Sequence, residues 1–147
     1  MATSEQQRIE VGDRFPTERL GRELTRPAVV YFYPADFTAG CTREAHAFNE
    51  LYGEFDDAGV DLIGVSTDTG ESHDRFADEC GLRFPLVADP EGELTRGIGL
   101  MKDYGEHGPF AARVTLLLDA DGTVKRMWDV TDVATHAGEV LAAVREH

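Results

Sequence analysis

The order of apolar runs in this chain predicts an α/β domain with a central mixed sheet flanked by helices. Two observations carry that expectation. Ala28 to Tyr33 and Val60 to Val65 are apolar, β-prone runs separated by a helix-like stretch, which makes a βαβ unit with parallel strands and a right-handed crossover. Near the end, Arg113 to Leu118 and Thr123 to Trp128 close around Asp119-Ala120-Asp121-Gly122, the pattern of an antiparallel hairpin. Parallel pairing followed by antiparallel pairing gives a mixed sheet.

Each element has its own local reason. Residues 1–10 are polar and are expected to form a loosely held tail. Val11-Gly12-Asp13-Arg14-Phe15-Pro16 opens the domain, taken to span 11–147, and Gly21 to Arg26 turns into the first core strand. Ala28 to Tyr33 lacks alternation, as a strand buried on both faces does. Beyond Cys41, Ala45, Phe48, Tyr52 and Phe55 recur at helical spacing, with Arg43, Glu44, Glu50 and Glu54 between them. Thr69 to Cys80 reads as a helix that Gly81 stops in a left-handed cap. Leu86 to Ala88 is a short strand. Pro90 to Gly108 is glycine-rich and unassigned, apart from a helical turn near Leu94 to Gly97. Asp132 caps the last helix, whose buried stripe is Val133, Ala137, Val140, Leu141 and Val144. This order of elements is the thioredoxin-like one.

Length and composition bound the function. At 147 residues the chain is one domain with a single well-buried core. No stretch reaches the ~18 apolar residues of a membrane span. The opening Met1-Ala2-Thr3-Ser4-Glu5-Gln6 lacks the regions of a signal peptide, so a cytoplasmic location is expected. Two cysteines are too few for a disulfide scaffold. Acidic residues number 28 against 14 basic ones, a net charge of −14, which makes nucleic acid and anionic membranes poor partners. Lys102 and Lys125 are the only lysines among those cations. This arginine-biased acidity fits a salt-adapted protein whose stability depends on screening.

The chemistry centres on Cys41. It lies in Pro34-Ala35-Asp36-Phe37-Thr38-Ala39-Gly40-Cys41, on the first turn of a helix at the carboxyl end of a central strand. That is where open α/β sheets place ligands, and a helix amino terminus favours a thiolate. A free thiol with pKa ~8.5 is only ~3% ionised at pH 7. Bringing it to ~6 takes ~3.4 kcal/mol, of which a helix end supplies at best ~2. A cation is therefore needed as well. Ionisation alone gains only ~30-fold in rate, so positioning and stabilisation of the leaving group must supply the rest.

Pro34-x-x-x-Thr38-x-x-Cys41 resembles the peroxiredoxin active-site pattern. The wider string from Tyr33 to Ala45 is similar to the peroxiredoxin Q branch, also called bacterioferritin comigratory protein. Gly64-Val65-Ser66-Thr67-Asp68, Phe84-Pro85-Leu86-Val87-Ala88-Asp89 and Arg113-Val114-Thr115 extend the resemblance from about Val11 to the last helix. It implies a thiol-dependent peroxidase in which Cys41 attacks a hydroperoxide and becomes a sulfenic acid. Arg113 is then the cation beside Cys41, and Glu44 the glutamate that orients an arginine. Arg43 is a second, weaker candidate cation. Thr38 would bond the peroxide, or cap the helix by accepting from the Cys41 amide. Pro34 would shield the thiolate, and Gly40 would let backbone amides approach the substrate. Thioredoxin or a similar thiol reductant, a monomeric state and no cofactor or metal complete the expectation.

Clearing the sulfenic acid is where the chain departs from many relatives. They carry a resolving cysteine five residues after the first, where this chain has His46, expected to face solvent. The other thiol is Cys80, 39 residues downstream, in the region where other members of the branch place theirs. Against this, Cys80 shares a helix face with Phe76 and sits at a helix carboxyl end, which suits core packing and disfavours a thiolate. If Cys80 does not resolve, the enzyme is a one-cysteine peroxidase using an external thiol. A disulfide reductase and a non-enzymatic binder or redox sensor on the same fold are the remaining alternatives. The former is weakened by a single cysteine where a C-x-x-C motif needs two.

Overall fold

The computed structural model describes residues 7–146. Five strands form the main sheet: β1 (Ala28–Phe32), β2 (Asp61–Ser66), β3 (Leu86–Ala88), β6 (Val114–Leu118) and β7 (Val124–Asp129), in the order β3-β2-β1-β6-β7. β1, β2 and β3 run parallel, while β6 is antiparallel to both β1 and β7. The thioredoxin-like α/β fold with a mixed sheet is therefore present. β1 is central and every one of its residues is buried, which is why it reads as an unbroken apolar run.

Alternate residues of β1 feed two cores. Val29, Tyr31 and the following Tyr33 pack with Phe48, Phe55, Phe76, Val140 and Leu141. These come from α1 (Ala39–Glu50), α2 (Tyr52–Asp57), α3 (Gly70–Cys80) and α5 (Val133–Arg145). Ala28, Val30 and Phe32 face Phe15, Leu94, Ile98 and Leu100 on the other side, where α4 (Glu93–Gly97) lies. In β2, Gly64 is required by close approach: a Cβ there would lie 2.8 Å from the Leu86 side chain and 3.1 Å from the Tyr31 ring.

Helix ends follow the sequence signals closely. Thr69 caps α3 by accepting from the Ser72 amide, Gly81 ends it at φ 64°, and Asp132 caps α5 by accepting from the Ala134 amide. On the α5 stripe, Val133 is half-buried while His136 is buried instead. Two expectations need correction. The helical turn expected near Leu94 to Gly97 is present as α4, but the rest of 90–108, left unassigned, holds strand β4 (Met101–Asp103) and a short 3-10 turn, and β4 pairs with β5 (Pro109–Ala111) in a separate hairpin. The polar tail is not loose where it is described: the Ile9 amide donates to Ile98 O at 2.8 Å, its side chain is buried, and Arg8 pairs with Asp129. Residues 1–6 of that tail lie outside the described residues.

Candidate active site

The site begins with the register of β1 and β6. Phe32 pairs with Val114, so the next positions, Tyr33–Pro34 and Arg113, meet at the carboxyl end of β1. The Val130 amide donates to Arg113 O at 3.1 Å and fixes the arginine backbone there. From that anchor the guanidinium reaches across to α1. Its Nη2 donates to Cys41 Sγ at 3.3 Å and its Nη1 donates to Glu44 Oε1 at 2.7 Å. One rigid fork thus holds the sulfur and a carboxylate one helical turn apart. Burial opposes the Arg113 charge, but Cys41 and Glu44 outweigh it and hold its pKa above the usual value.

Glu44 is 1 % exposed, so it is not the solvated first-turn acid its place in the polar pattern suggests. Burial pushes its carboxyl up to about 7 against the pull of Arg113. Its second oxygen is buried with no partner among the described residues, which is consistent with burial winning. Cys41 is equally buried, on the third residue of α1. The first intrahelical bond near it runs from the Thr42 amide to Thr38 O, leaving the Gly40 and Cys41 amides without intrahelical partners.

Thr38 takes the N-cap position with extended backbone, but its side chain makes no cap bond. Its hydroxyl instead donates to Ala35 O at 2.9 Å, so the expected bond from the Cys41 amide is corrected. Phe37, between Ala35 and Thr38, adopts the left-handed φ of 68°. Gly40 lies under Arg113, where a Cβ would come within 3.3 Å of Nη2. Pro34 and Arg113 line a cavity of about 460 Å³ with Arg8, Lys102, Tyr104 and Asp129. Arg43 and His46 are exposed on α1, and the side-chain hydrogen bond to Cys41 comes from Arg113.

The sequence reading missed two groups. Tyr104, brought by the β4–β5 hairpin, lines the cavity, and burial followed by the field of Cys41 raises its hydroxyl pKa against the pull of Arg113. Asp36 anchors the active-site loop from beneath. It is buried and accepts from Tyr33 Oη at 2.6 Å, Ser72 Oγ at 2.7 Å and His73 Nδ1 at 2.9 Å. Burial works against its charge, but the bonds from His73, Tyr33 and Ser72 hold its carboxyl below the usual range. Asp36, Asp68 and His73 place their donor atoms within 4.8 Å of one another. Those atoms are taken up by protein partners, including the Asp36 amide and Ser66 Oγ on Asp68 and Val87 O on His73. The cluster therefore reads as a self-satisfied clamp.

Cys80 ends α3 and is half-buried. Burial, then Glu79 and Asp36, raise its thiol pKa. Its helix end is fastened to the far end of α1: Asn49 Nδ2 donates to Gly81 O at 3.0 Å, and the Arg83 amide donates to Asn49 Oδ1 at 2.8 Å. Asn49 lies eight residues beyond Cys41, about 12 Å along the helix.

Comparison with known proteins matches this geometry to a family. The model of the AhpC/TSA family matches residues 12–127. Peroxiredoxin Bcp of Xanthomonas campestris pv. campestris is 44% identical over 122 residues, 81% of this chain and 76% of that protein. Peroxiredoxin Bcp of Bacillus subtilis is 33% identical over 92% of this chain and 88% of its own. Among solved structures, Xanthomonas campestris peroxiredoxin Q superposes with a TM-score of 0.80 at 36% identity, covering 93% of this chain and 98% of its own. A structure of the Xanthomonas campestris bacterioferritin comigratory protein, described for alkyl peroxide reduction activity and trapped intermediate and ligand complexes, gives a TM-score of 0.80 at 35% identity over 94% of this chain and 99% of its own.

Proposed function

The chain belongs to the AhpC/TSA family as a peroxiredoxin of the Bcp and peroxiredoxin Q kind, a thiol-dependent peroxidase, and from that premise we propose how its residues divide the work. The observation that carries the reading is the Arg113 fork on Cys41 and Glu44, set at a cavity that Pro34 also lines.

Cys41 attacks as the thiolate. Its sulfur bonds the terminal oxygen of ROOH, the O–O bond breaks, and RO⁻ leaves and takes up a proton, giving a sulfenic acid and ROH. Arg113 faces both the thiolate and the charge that develops on the oxygens, where a fixed donor does most. Glu44 holds Arg113 in place. Thr38 donates to Ala35 O, so its lone pairs remain to accept a hydrogen bond from the hydroperoxide O–H. Gly40 gives the Arg113 guanidinium its clearance, and the amides of Gly40 and Cys41 add donors on the helix side. Pro34 contributes no N–H and closes the loop side of the cavity.

Cys80 then condenses with the sulfenic acid: the Cys80 thiolate attacks Cys41 sulfur, the S–O bond breaks, hydroxide leaves and takes up the proton released on ionising Cys80 to become water, and an intramolecular disulfide remains for thioredoxin or a similar dithiol to reduce. A second reading keeps its place because of one observation. Cys80 is fastened at the level of Asn49, so an external thiol reaching Cys41 first would make this a one-cysteine enzyme. Alkyl hydroperoxides and hydrogen peroxide are the substrate class, with a monomeric, cytoplasmic and salt-adapted protein as the setting.

The decisive experiment adds one equivalent of hydrogen peroxide to reduced protein, counts thiols, and reads the product by non-reducing peptide mass. Two thiols lost per peroxide with a Cys41–Cys80 link is the expected result. Loss of Cys41 alone assigns resolution to an external thiol, and no loss at all removes Cys41 as the peroxidatic residue.

A further inference from the structure

We propose that Asn49 is a positioning residue for the resolving step: its side chain holds the Cys80 end of α3 against α1, and release of that clasp lets the last turn of α3 unwind about Phe76 so that Cys80 reaches oxidised Cys41. The inference rests on Cys80 being the resolving cysteine.

Helix α3 is held at three points, and they differ in kind. At its amino end, Ser72 Oγ and His73 Nδ1 bond the buried Asp36 carboxylate of the active-site loop at 2.7 and 2.9 Å. In its middle, Phe76 is fully buried, with its ring 5.2 Å from Phe37 and 6.3 Å from Tyr33. At its carboxyl end the hold passes through two side chains, Asn49 and Arg83. Asn49 donates to Gly81 O and accepts from the Arg83 amide, while Arg83 Nη2 donates to Asn49 O at 2.8 Å and its guanidinium lies 5.0 Å over the Tyr52 ring.

These contacts set the register of the two helices. The amino end of α3 meets the loop that leads into α1, and its carboxyl end meets Asn49, so the helices run side by side in the same sense. Cys80 is thus held about two turns beyond the level of Cys41. A disulfide needs the two Cα atoms within about 7 Å. Four residues of helix, Ala77 to Cys80, cover about 6 Å, but the same four extended cover about 13 Å. With Phe76 still seated on Phe37, in the loop that carries Cys41, that gain in reach bridges the gap.

The clasp is also the hold that yields first. The Asp36 bonds are charge-assisted and buried, whereas the Asn49 bonds are exposed, neutral on one side or both, and open to replacement by water. Gly81, at φ 64°, already breaks the helix next to Cys80. Opening is therefore local and leaves the loop clamp in place. The clasp sets a competition: while it is closed, the Cys41 sulfenate meets a second ROOH and becomes a sulfinate plus ROH; when it opens, Cys80 forms the disulfide and water leaves.

The test is single-turnover oxidation of the full chain with hydrogen peroxide, with disulfide and sulfinate read by quenched mass analysis. Asn49→Ala and Arg83→Ala should leave the rate of Cys41 oxidation unchanged, raise the rate of disulfide formation roughly fivefold to tenfold, the equivalent of one or two lost hydrogen bonds, and lower the sulfinate fraction at excess peroxide. Asn49→Asp, which keeps the acceptor for Arg83 but loses the donor to Gly81 O, should fall between. Disulfide formation at or below the unmodified rate in both alanine variants overturns the clasp. Absence of any Cys41–Cys80 link in the unmodified protein overturns the resolving reading instead.

Discussion

Arg113 and Cys41 are 72 residues apart in sequence, yet Nη2 of one lies 3.3 Å from Sγ of the other. The same guanidinium holds Glu44 at 2.7 Å, so its plane is fixed by two partners at once. A lysine offers a single point charge on a flexible stem and cannot span both. Arg113→Ala should lower kcat/KM for hydrogen peroxide by about 10²-fold or more, and Arg113→Lys should recover only part of that loss. Stopped-flow measurement of the first oxidation step checks this. A lysine variant at full rate would reduce the fork to a simple charge.

Glu44 gives the site a pH signature. Its carboxyl is raised from 4.5 to about 7 by burial, with Arg113 pulling the other way. Between those values the folded protein binds a proton that the unfolded chain has released. This group's contribution is therefore fully present below about 4.5 and lost as the pH rises through about 7. The shift corresponds to about 3 kcal/mol. The many other carboxylates add their own slopes, so the comparison is with Glu44→Gln, which removes only this one. Relative to the unmodified protein, Glu44→Gln should gain stability between pH 5 and 8 in urea unfolding. Parallel pH–stability curves for the two proteins would contradict the buried acid.

Much of this was legible in the sequence, for reasons that particular residues make plain. Val29 to Phe32 is apolar on both faces because both faces are core, and Thr69 and Gly81 cap α3 as their residue types predict. The β4–β5 hairpin was illegible: three-residue strands split by Gly105 and Gly108 leave no period to read, and Tyr104 went with them. Asp36 looked like loop polarity because its partners Ser72 and His73 come from another helix, 36 and 37 residues on. Glu44 was placed correctly beside an arginine only through the family resemblance, since helical periodicity assigns it to the wet face.

Gly40 separates activity from stability. A Cβ there comes within 3.3 Å of Arg113 Nη2, so a methyl group makes the guanidinium give by a few tenths of an ångström against its bonds to Cys41 and Glu44. Alanine is the better helix former by up to ~1 kcal/mol, and the backbone at Gly40 needs no positive φ. Gly40→Ala should therefore keep or raise the melting temperature while lowering kcat/KM about tenfold. Full activity would mean that Arg113 adjusts without cost.

The charge balance predicts a dependence on salt. With a net charge of −14, the folded chain repels itself, and its cross-links Arg8–Asp129, Arg26–Asp56 and Arg145–Glu54 are exposed pairs of small worth. Screening relieves the repulsion more than it weakens those pairs. The melting temperature should rise by several degrees between 0.05 and 2 M KCl, far more than in sucrose of equal osmolality. A melting temperature that ignores KCl would remove the salt-adapted reading.

As the proposed resolving thiol, Cys80 gives disulfide formation a pH dependence of its own. Burial, together with Glu79 and Asp36, holds the Cys80 thiol above its usual value, so at neutral pH only a small fraction is thiolate. Attack on a sulfenic acid requires that thiolate. The rate of Cys41–Cys80 disulfide formation should then rise about tenfold per pH unit from 6.5 upward, with no plateau before pH 9. Glu79→Gln, which removes the nearer of the two acids, should shift that profile to lower pH, because one charge disfavouring the thiolate is gone. If the profile is flat while the disulfide still forms, opening of α3 rather than ionisation limits the step, and the Asn49→Ala variant should then recover the slope.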